Sequence, residues 1–278
     1  MDIRNINVLV RKEVRESLKN RWFILYTAGF SILALLVMLF ATSSGGLGGY
    51  SGFGRITASL INLVLFFIPL ISIVTGAVSI SGERENKTLA FLLSHPVSKS
   101  EVFIGKFTGL LISIWVSIVL GFGLAGVVAA LRGGSEDASR YLMMALLSAL
   151  LAASILSVGF LVSSLSRKVA SAMGVAVFLW LAFIVLGDLG IMGTTIAMDL
   201  GVRQVFVLAV INPVEVFKMT AVMTLSPRFE VLGPVGIYAL RTFGSAGTFW
   251  LLSGVMVLWT AVPLCIAMLS FTVWRREE

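Results

Sequence analysis

Long apolar runs separated by short charged segments are the dominant pattern along this chain. A helix of about 20 apolar residues, rising about 1.5 Å per residue, crosses about 30 Å of hydrocarbon. A segment alone in lipid must satisfy its own backbone hydrogen bonds, so each run is predicted to be an α-helix. Six spans follow, at residues 22–41, 56–80, 107–131, 141–165, 169–189 and 249–273.

The composition agrees with a membrane protein. The 278 residues are 58% hydrophobic and 13% charged, whereas soluble domains are about 25% charged. The predicted fold class is therefore an all-α membrane protein with six transmembrane helices. Most of the 21 Lys and Arg residues flank the spans on one side, which predicts a multi-pass protein of the cell (inner) membrane with both termini cytoplasmic. The net charge of +7 then favours membrane lipid, and no nucleic acid, as the partner of the basic residues.

The segment before the first span, residues 1–21, is amphipathic. Its basic residues lie on other faces than its apolar positions, which recur every three or four residues: Ile3, Ile6, Val10, Val14 and Leu18. This pattern predicts a helix in the headgroup layer. It is either an elbow helix that couples motion to the first span or a plain interfacial anchor. Residues 22–278 form the predicted transmembrane domain.

A polar interruption at residues 81–106 carries its own short helical patterns. An apolar patch around Leu89 and Leu92 follows a group of charges, and Pro96 ends that helix because the residue before a proline avoids the α region. Ser98 and Glu101 have the spacing of a capping box, which predicts a second helix from Glu101 into the third span. The two short helices thus meet at a corner that contains Pro96. Such a corner fits insertion into a groove on a partner, or packing of a re-entrant turn on its own bundle.

The segment E-R-E-N-K-T-L-A-F-L-L-S-H-P-V-S-K-S-E-V-F-I-G-K resembles the cytoplasmic loop of type-2 ABC exporter permeases. The resemblance covers the whole chain, from the basic start to the long segment before the last span. It implies a homodimer with two ATPase subunits, which bind ATP and Mg. It also implies a coupling helix whose docking residues are Glu83, Arg84, Glu85, Thr88, Leu89, Leu92, Leu93, His95 and Pro96.

Two further segments are similar to the permeases that accompany maturation of nitrous-oxide reductase. They are the I-N-P-V-E-V-F-K stretch at Ile211–Lys218 and the basic end Trp274-Arg275-Arg276. This narrower resemblance implies a cargo for copper-sulfur site assembly. Export of another cargo (a drug, lipid or peptide), a stand-alone secondary transporter or channel, and a scaffold that anchors an ATPase remain the alternatives.

With the N-terminus cytoplasmic, the segment at residues 190–248 follows the fifth span and is predicted to be extracytoplasmic; it is too long for a turn. Short apolar stretches on either side of Asn212-Pro213 predict helices that dip into the outer leaflet. They would gate an exit, receive a periplasmic accessory protein, or close the dimer. Asn212, Pro213, Met219 and Met223 are the candidate gate residues. In the spans, Pro69 and Pro263 predict kinks, either hinges or static bends.

The sequence contains no candidate catalytic residue or metal site. A G-x-G-x-x-G match at residues 121–126 lies inside a span with no preceding strand, and Gly105–Thr108 lacks the spacing of a P-loop. The chain is therefore predicted not to hydrolyse ATP and to bind no cofactor itself. A single cysteine and a single histidine leave little for a metal site. No charge occurs in mid-span, which disfavours a proton- or sodium-coupled carrier.

Overall fold

The computed structural model describes residues 2–43, 52–94, 97–131, 138–185, 187, 201–225 and 233–273. These residues form helices and no strand, which confirms the predicted all-α class. The helices are α1 (Ile3–Lys19), α2 (Arg21–Ser43), α3 (Gly52–Glu85), α4 (Thr88–Leu93), α5 (Lys99–Leu131), α6 (Ala138–Leu165), α7 (Val169–Val185), α8 (Val202–Val210), α9 (Pro213–Leu225) and α10 (Gly233–Val273).

Five of these helices, α2, α3, α5, α6 and α10, are long and apolar enough to cross a membrane. The predicted span at 169–189 corresponds to α7, which has 17 residues in the described part of the chain. The helices α8 and α9 are bent by 110° and together have the length of a sixth span. The fold class is thus established, and the count of six spans stays a prediction.

Several helices extend beyond the predicted spans. The second span continues to Glu85, and the third begins at Lys99 rather than at Phe107. Most of the predicted 81–106 loop is therefore helical, and the corner itself is confined to residues 86–98. The last helix begins at Gly233, well before Phe249. The ends of the second and third spans at this corner are polar, so a boundary placed where hydropathy falls stops short of those helix ends.

The helix α6 forms the centre of the bundle, with α3 and α10 packed against it. At the crossing with α3, a Cβ on Gly159 would lie 2.6 Å from the Ile73 carbonyl oxygen, and one on Gly76 would lie 2.9 Å from the Leu156 oxygen. The two backbones therefore touch directly, as small residues allow in membrane helices. On the other side, the Ser154 hydroxyl lies 2.9 Å from the Met256 carbonyl oxygen of α10.

The helix α7 packs mainly on α3 rather than on α6, although only Ser166–Lys168 separate α6 from α7. The short α6–α7 connection therefore does not make α7 pack closely on α6. The physical reason is an aromatic contact: Trp180 packs edge-on against Phe66 with ring centroids 5.0 Å apart. Its indole nitrogen also donates to the Phe66 carbonyl at 3.3 Å.

A break in α10 occurs at Gly244, where φ is 72° and ψ is 172°. Glycine accepts this left-handed φ without the Cβ clash that other residues meet. The Thr248 hydroxyl lies 3.0 Å from the Ala239 carbonyl oxygen, across the break. By contrast, α3 and α10 continue as helices through Pro69 and Pro263, and kinks at these prolines stay a prediction.

Candidate coupling site at the α3–α4–α5 corner

The helix α4 is a six-residue segment between the end of α3 and the start of α5. The turn before it has Lys87 in the left-handed region (φ 57°), a common way for a helix to end. Along α4 the side chains divide by environment. Leu89 packs on the core, while Phe91 is 70% exposed. This short helix therefore presents a large aromatic side chain on its outer face.

The capping box predicted at Ser98 is confirmed. The Glu101 backbone N–H donates to the Ser98 hydroxyl at 3.2 Å, and the Ser98 N–H donates to the Glu101 carboxylate at 3.0 Å. Glu101 does more than cap α5, because its carboxylate also accepts from the Asp2 N–H at 2.6 Å and from the Asn5 amide at 3.3 Å. One buried carboxylate thus holds together the start of α5 and the start of α1.

Two charged residues of the predicted docking set make contacts inside the chain. The Arg84 guanidinium donates to the Ser166 carbonyl oxygen at 2.6 Å, at the end of α6. The Glu85 carboxylate accepts from the Val169 N–H at 2.6 Å, at the start of α7, where the partial positive charge of the helix favours an anion. Both side chains therefore fix the end of α3 to the α6–α7 connection.

Glu83 belongs to a buried ionic cluster. The Lys106 ammonium lies 2.9 Å from the Glu83 carboxylate and 2.6 Å from that of Glu13. The side chains are 5%, 15% and 7% exposed for Lys106, Glu83 and Glu13. At the rim, the Lys12 ammonium lies 3.7 Å from Glu83. We call Glu13, Glu83 and Lys106 the ionic triad; it joins α1, α3 and α5 at the level where the corner begins.

A glycine groove on α5 brings α1 close enough for this triad. A Cβ on Gly105 would lie 2.6 Å from the Leu9 Cβ, and one on Gly109 would lie 2.6 Å from the Glu13 Cβ. The G-x-x-x-G spacing therefore serves helix packing. The buried line of α1 is Leu9, Glu13 and Ser17. The predicted apolar stripe lies beside this line, and its ends, Ile3 and Leu18, are exposed.

The sequence-predicted docking residues thus fall into separate groups. Thr88 is exposed and Leu92 is partly exposed on α4, whereas Leu89 faces inward. The backbone of Leu93 ends α4. His95 and Pro96 lie outside the described residues.

Three residues of the site escaped the sequence reasoning. Phe91 was part of the apolar pattern but was not assigned to docking. Glu13 and Lys106 are not predicted to pair, because they lie 93 residues apart in the sequence. The one available signal was the pair of glycines that flanks Lys106, whose four-residue spacing marks a close helix approach.

Of the candidate gate residues, Asn212 and Pro213 lie at the α8–α9 bend, and Met219 and Met223 lie further along α9. The Asn212 amide donates to the Phe183 carbonyl of α7 at 2.6 Å, and its oxygen accepts from the Val214 N–H at 2.9 Å. Pro213 is the first residue of α9. Met219 is 8% exposed, and Met223 packs against the core. Asn212 therefore anchors the bend, and the two methionines contribute to packing; a gating role stays a prediction.

The chain matches a family model described as ABC-2 family transporter protein over residues 7–273. It is also similar to two proteins described as probable ABC transporter permease protein NosY. The one from Pseudomonas aeruginosa is 28% identical over 270 residues, covering 93% of this chain and 94% of the relative. The one from Stutzerimonas stutzeri is 25% identical over 275 residues, with 97% of each covered. The chain therefore belongs to the ABC-2 transporter family and is a multi-pass permease subunit of an ABC transporter, a kind of subunit that works with a partner ATPase.

Proposed function

We propose that α4 is the coupling helix by which this permease receives the movement of its ATPase partner. One observation carries the proposal: α4 exposes Phe91 while both ends of the helix are anchored. Arg84 and Glu85 hold the end of α3 before it, and Glu101 holds the start of α5 after it. Large aromatic side chains are the usual anchors in protein interfaces.

In this proposal the docking surface is narrower than the sequence indicated. Phe91, Thr88 and Leu92 contact the ATPase, and Arg84, Glu83 and Glu85 pass its movement to the membrane helices. His95 and Pro96 stay in the docking set as predictions. The assembly is a homodimer of this chain with two ATPase subunits that supply ATP and Mg, in the cell (inner) membrane, with α4 and both termini cytoplasmic. This chain itself hydrolyses no ATP and needs no cofactor or metal.

The test compares two exposed phenylalanines. Phe91→Ala removes the proposed anchor, and Phe178→Ala is the matched control, because Phe178 is 69% exposed on the membrane helix α7. The complex is purified from the native host in gentle detergent and its intact mass is measured. Loss of an interface anchor costs about 2 kcal/mol or more, or about thirtyfold in affinity. Phe91→Ala is therefore expected to lose the ATPase, and Phe178→Ala to keep it.

A charge on the same surface gives a stronger version of the experiment. Leu92→Asp is expected to strip the ATPase from the membrane while the permease stays inserted. If both α4 variants retain the ATPase with undiminished affinity, the docking assignment is wrong. If the wild-type permease purifies alone in several detergents, the proposed two-plus-two assembly is wrong as well.

We further propose that the cargo is a factor for copper-sulfur site maturation of nitrous-oxide reductase. The similarity to the NosY permeases over nearly the whole chain and the I-N-P-V-E-V-F-K segment support this proposal. Deletion of the permease in a host that makes the reductase should leave the copper-sulfur site incomplete. A normally matured reductase would point instead to another cargo, such as a drug, lipid or peptide, and would leave the permease assignment intact.

The α8–α9 bend is the proposed contact for a periplasmic accessory protein. It is the segment that the sequence predicts on the outer side, and Asn212 fixes its geometry. Family membership makes a stand-alone secondary transporter or channel the weaker alternative, because an ABC permease is driven by a partner ATPase.

A further inference from the structure

The outer face of α1 carries a line of exposed arginines, Arg4, Arg11 and Arg15. Their guanidinium groups make no hydrogen bond or ion pair with any residue in the described part of the chain. At about 100° per residue, the three lie within about 40° of one another and about 180° from the middle of the buried line of α1. The helix therefore presents these arginines directly away from the helices on which it packs.

This arrangement costs the helix stability when nothing covers it. Arg15 lies four residues from both Arg11 and Lys19, and like charges at that spacing repel each other on a helix. Neither glutamate of α1 relieves the repulsion, because Glu13 is buried and Glu16 lies about 100° around the helix from Arg15. A negatively charged surface against the outer face would offset the repulsion.

The helix α1 runs beside the start of α5 and in the same direction. The Asn5 amide donates to the Glu101 carboxylate at 3.3 Å, between residues 96 apart in sequence. A Cβ at either end of Gly105–Gly109 would lie 2.6 Å from the Cβ of Leu9 or Glu13, and these pairs have the same separation. Because the separation stays constant over two turns, the two axes are nearly parallel. Since α5 continues as a helix long and apolar enough to cross a membrane, α1 follows the spanning direction.

The length of the arginine line then decides between two kinds of acidic partner. From Arg4 to Arg15 the line extends about 16 Å along the helix at about 1.5 Å per residue, or about 13 Å in depth at a tilt of about 40°. The headgroup layer on each side of a bilayer is only about 5–8 Å thick. Wherever the membrane lies along α5, this layer cannot hold the whole line. Arginine in hydrocarbon is costly, so the rest of the line lies in the aqueous phase, within reach of a protein.

This face adjoins the proposed docking surface. The Glu101 carboxylate accepts from the Ser98 N–H, just after α4, and from the Asp2 N–H at the start of α1. A protein seated on α4 is therefore close to the first turn of α1. Between the arginines, Val8 is 68% exposed. Arginine together with exposed apolar area is typical of protein interfaces.

We propose that Arg4, Arg11 and Arg15 bind an acidic surface of the ATPase subunit. This inference rests on the proposed function, because it takes the ATPase to dock at α4. Phe91 then supplies the apolar anchor, whereas the arginines orient the subunit and speed its association through long-range attraction. The helix α1 is thereby a second contact for the ATPase.

The test removes the charges from the full-length permease and measures the affinity of the ATPase, purified from the native host and titrated back in gentle detergent at low and high salt. The triple variant Arg4→Gln, Arg11→Gln, Arg15→Gln should bind about tenfold more weakly at low salt, at roughly two- to fivefold per exposed ion pair. It should also lose most of the salt dependence that screening gives the wild type. The control variant Arg203→Gln, Arg241→Gln removes two exposed arginines of α8 and α10 and should keep both properties.

Phe91→Ala separates this inference from the docking of α4, because it should weaken binding and keep the salt dependence. If Phe91→Ala releases the ATPase while the triple variant binds as the wild type does at both salt concentrations, the inference about α1 is wrong and the docking of α4 stands. If neither variant changes binding, both are wrong.

Anionic lipid is the other outcome of the test. If the triple variant keeps the ATPase but loses a thermal stabilisation by phosphatidylglycerol that the wild type shows, the arginines bind lipid and the proposal is overturned. Should the triple variant fail to fold, Arg11→Gln alone gives the same comparison, with an expected loss of about two- to fivefold in affinity; wild-type affinity and salt dependence in this variant would contradict the proposal.

Discussion

Replacing Lys106 with methionine tests whether the ionic triad is a buried structural joint. The substitution keeps an unbranched stem of similar length and removes the ammonium. Glu13 and Glu83 then face each other without the charge that lies 2.6 Å and 2.9 Å from them. Lys12 stays at the rim, 3.7 Å from Glu83, and reaches Glu83 more weakly than Lys106 does.

The expected loss follows from burial. Removing one partner of a buried ion pair costs about 3–5 kcal/mol, because an uncompensated charge stays in a poorly hydrated site. Glu13 and Lys106 are 7% and 5% exposed, so the value for buried pairs applies. We therefore expect Lys106→Met to lower the free energy of unfolding by about 3 kcal/mol or more. Exposed ion pairs contribute only about 0–1 kcal/mol, so the size of the measured loss distinguishes a buried triad from an exposed one.

The assay is equilibrium unfolding of the purified permease in mixed detergent micelles, followed by far-ultraviolet circular dichroism. Lys168→Met is the matched control, because Lys168 is exposed at the start of α7 and its loss should change stability little. The triple variant Glu13→Gln, Glu83→Gln, Lys106→Met leaves no buried charge. It should therefore recover most of the stability lost in the single variant.

Two results would refute this reasoning. If Lys106→Met stays within about 0.5 kcal/mol of the wild type, as surface changes do, then water reaches the triad and the pairing is weak. If the triple variant is as unstable as the single one, the loss comes from the missing hydrogen bonds of the Lys106 ammonium and not from uncompensated charge. Neither result would affect the docking of α4, which rests on other residues.

Two glycine substitutions test the close helix contacts. Gly109→Ala would place a Cβ 2.6 Å from the Glu13 Cβ. It should push α1 away from α5 and expose α1 to limited proteolysis. Gly123→Ala on the same helix is the control, because its Cβ meets nothing within 4 Å and the cleavage pattern should stay unchanged. Gly159→Ala would place a Cβ 2.6 Å from the Ile73 carbonyl oxygen. Because a backbone atom cannot move aside as a side chain can, this variant should lower the free energy of unfolding by about 1–3 kcal/mol. Wild-type stability in this variant would mean that the α3–α6 crossing is looser than described.

The helices and the start of α5 were predictable because local chemistry determines them. An apolar run in lipid has few structures open to it, so the spans followed from length and hydropathy. The Ser98–Glu101 box needs only two side chains three residues apart, and it formed as predicted. The polar ends of the helices were harder to predict, because a helix that extends beyond the hydrocarbon shows no change in hydropathy where it ends. This is why α3 reaches Glu85 beyond the predicted limit at Ile80.

The interior contacts of the candidate site were not predictable, because partners distant in sequence determine them. The apolar stripe of α1 predicts a face turned toward lipid, and its ends, Ile3 and Leu18, are exposed, but the stripe does not show which line of α1 packs on the bundle. The Gly105–Gly109 groove instead selects the line through Leu9 and Glu13. A glutamate becomes tolerable on a buried face only when a lysine from another helix meets it, and nothing local to either residue reveals that pairing.

The two kinds of contact suggest which parts of the permease move together. Deep in the bundle, α3 and α6 touch through backbone at Gly76 and Gly159, and one turn nearer α4 the Ser163 hydroxyl of α6 accepts from the Ile80 and Ser81 N–H groups of α3 at 2.9 Å. Near α4 the contacts are ionic or strongly hydrogen-bonded, through Glu83, Glu85 and Glu101, and they join α1, α3, α5 and α7. A displacement of α4 must therefore carry the near ends of these helices as one unit. Bending is expected between this unit and the far ends of the same helices. In α3 that interval contains Pro69, where the helix lacks one backbone hydrogen bond and bends at the lowest cost.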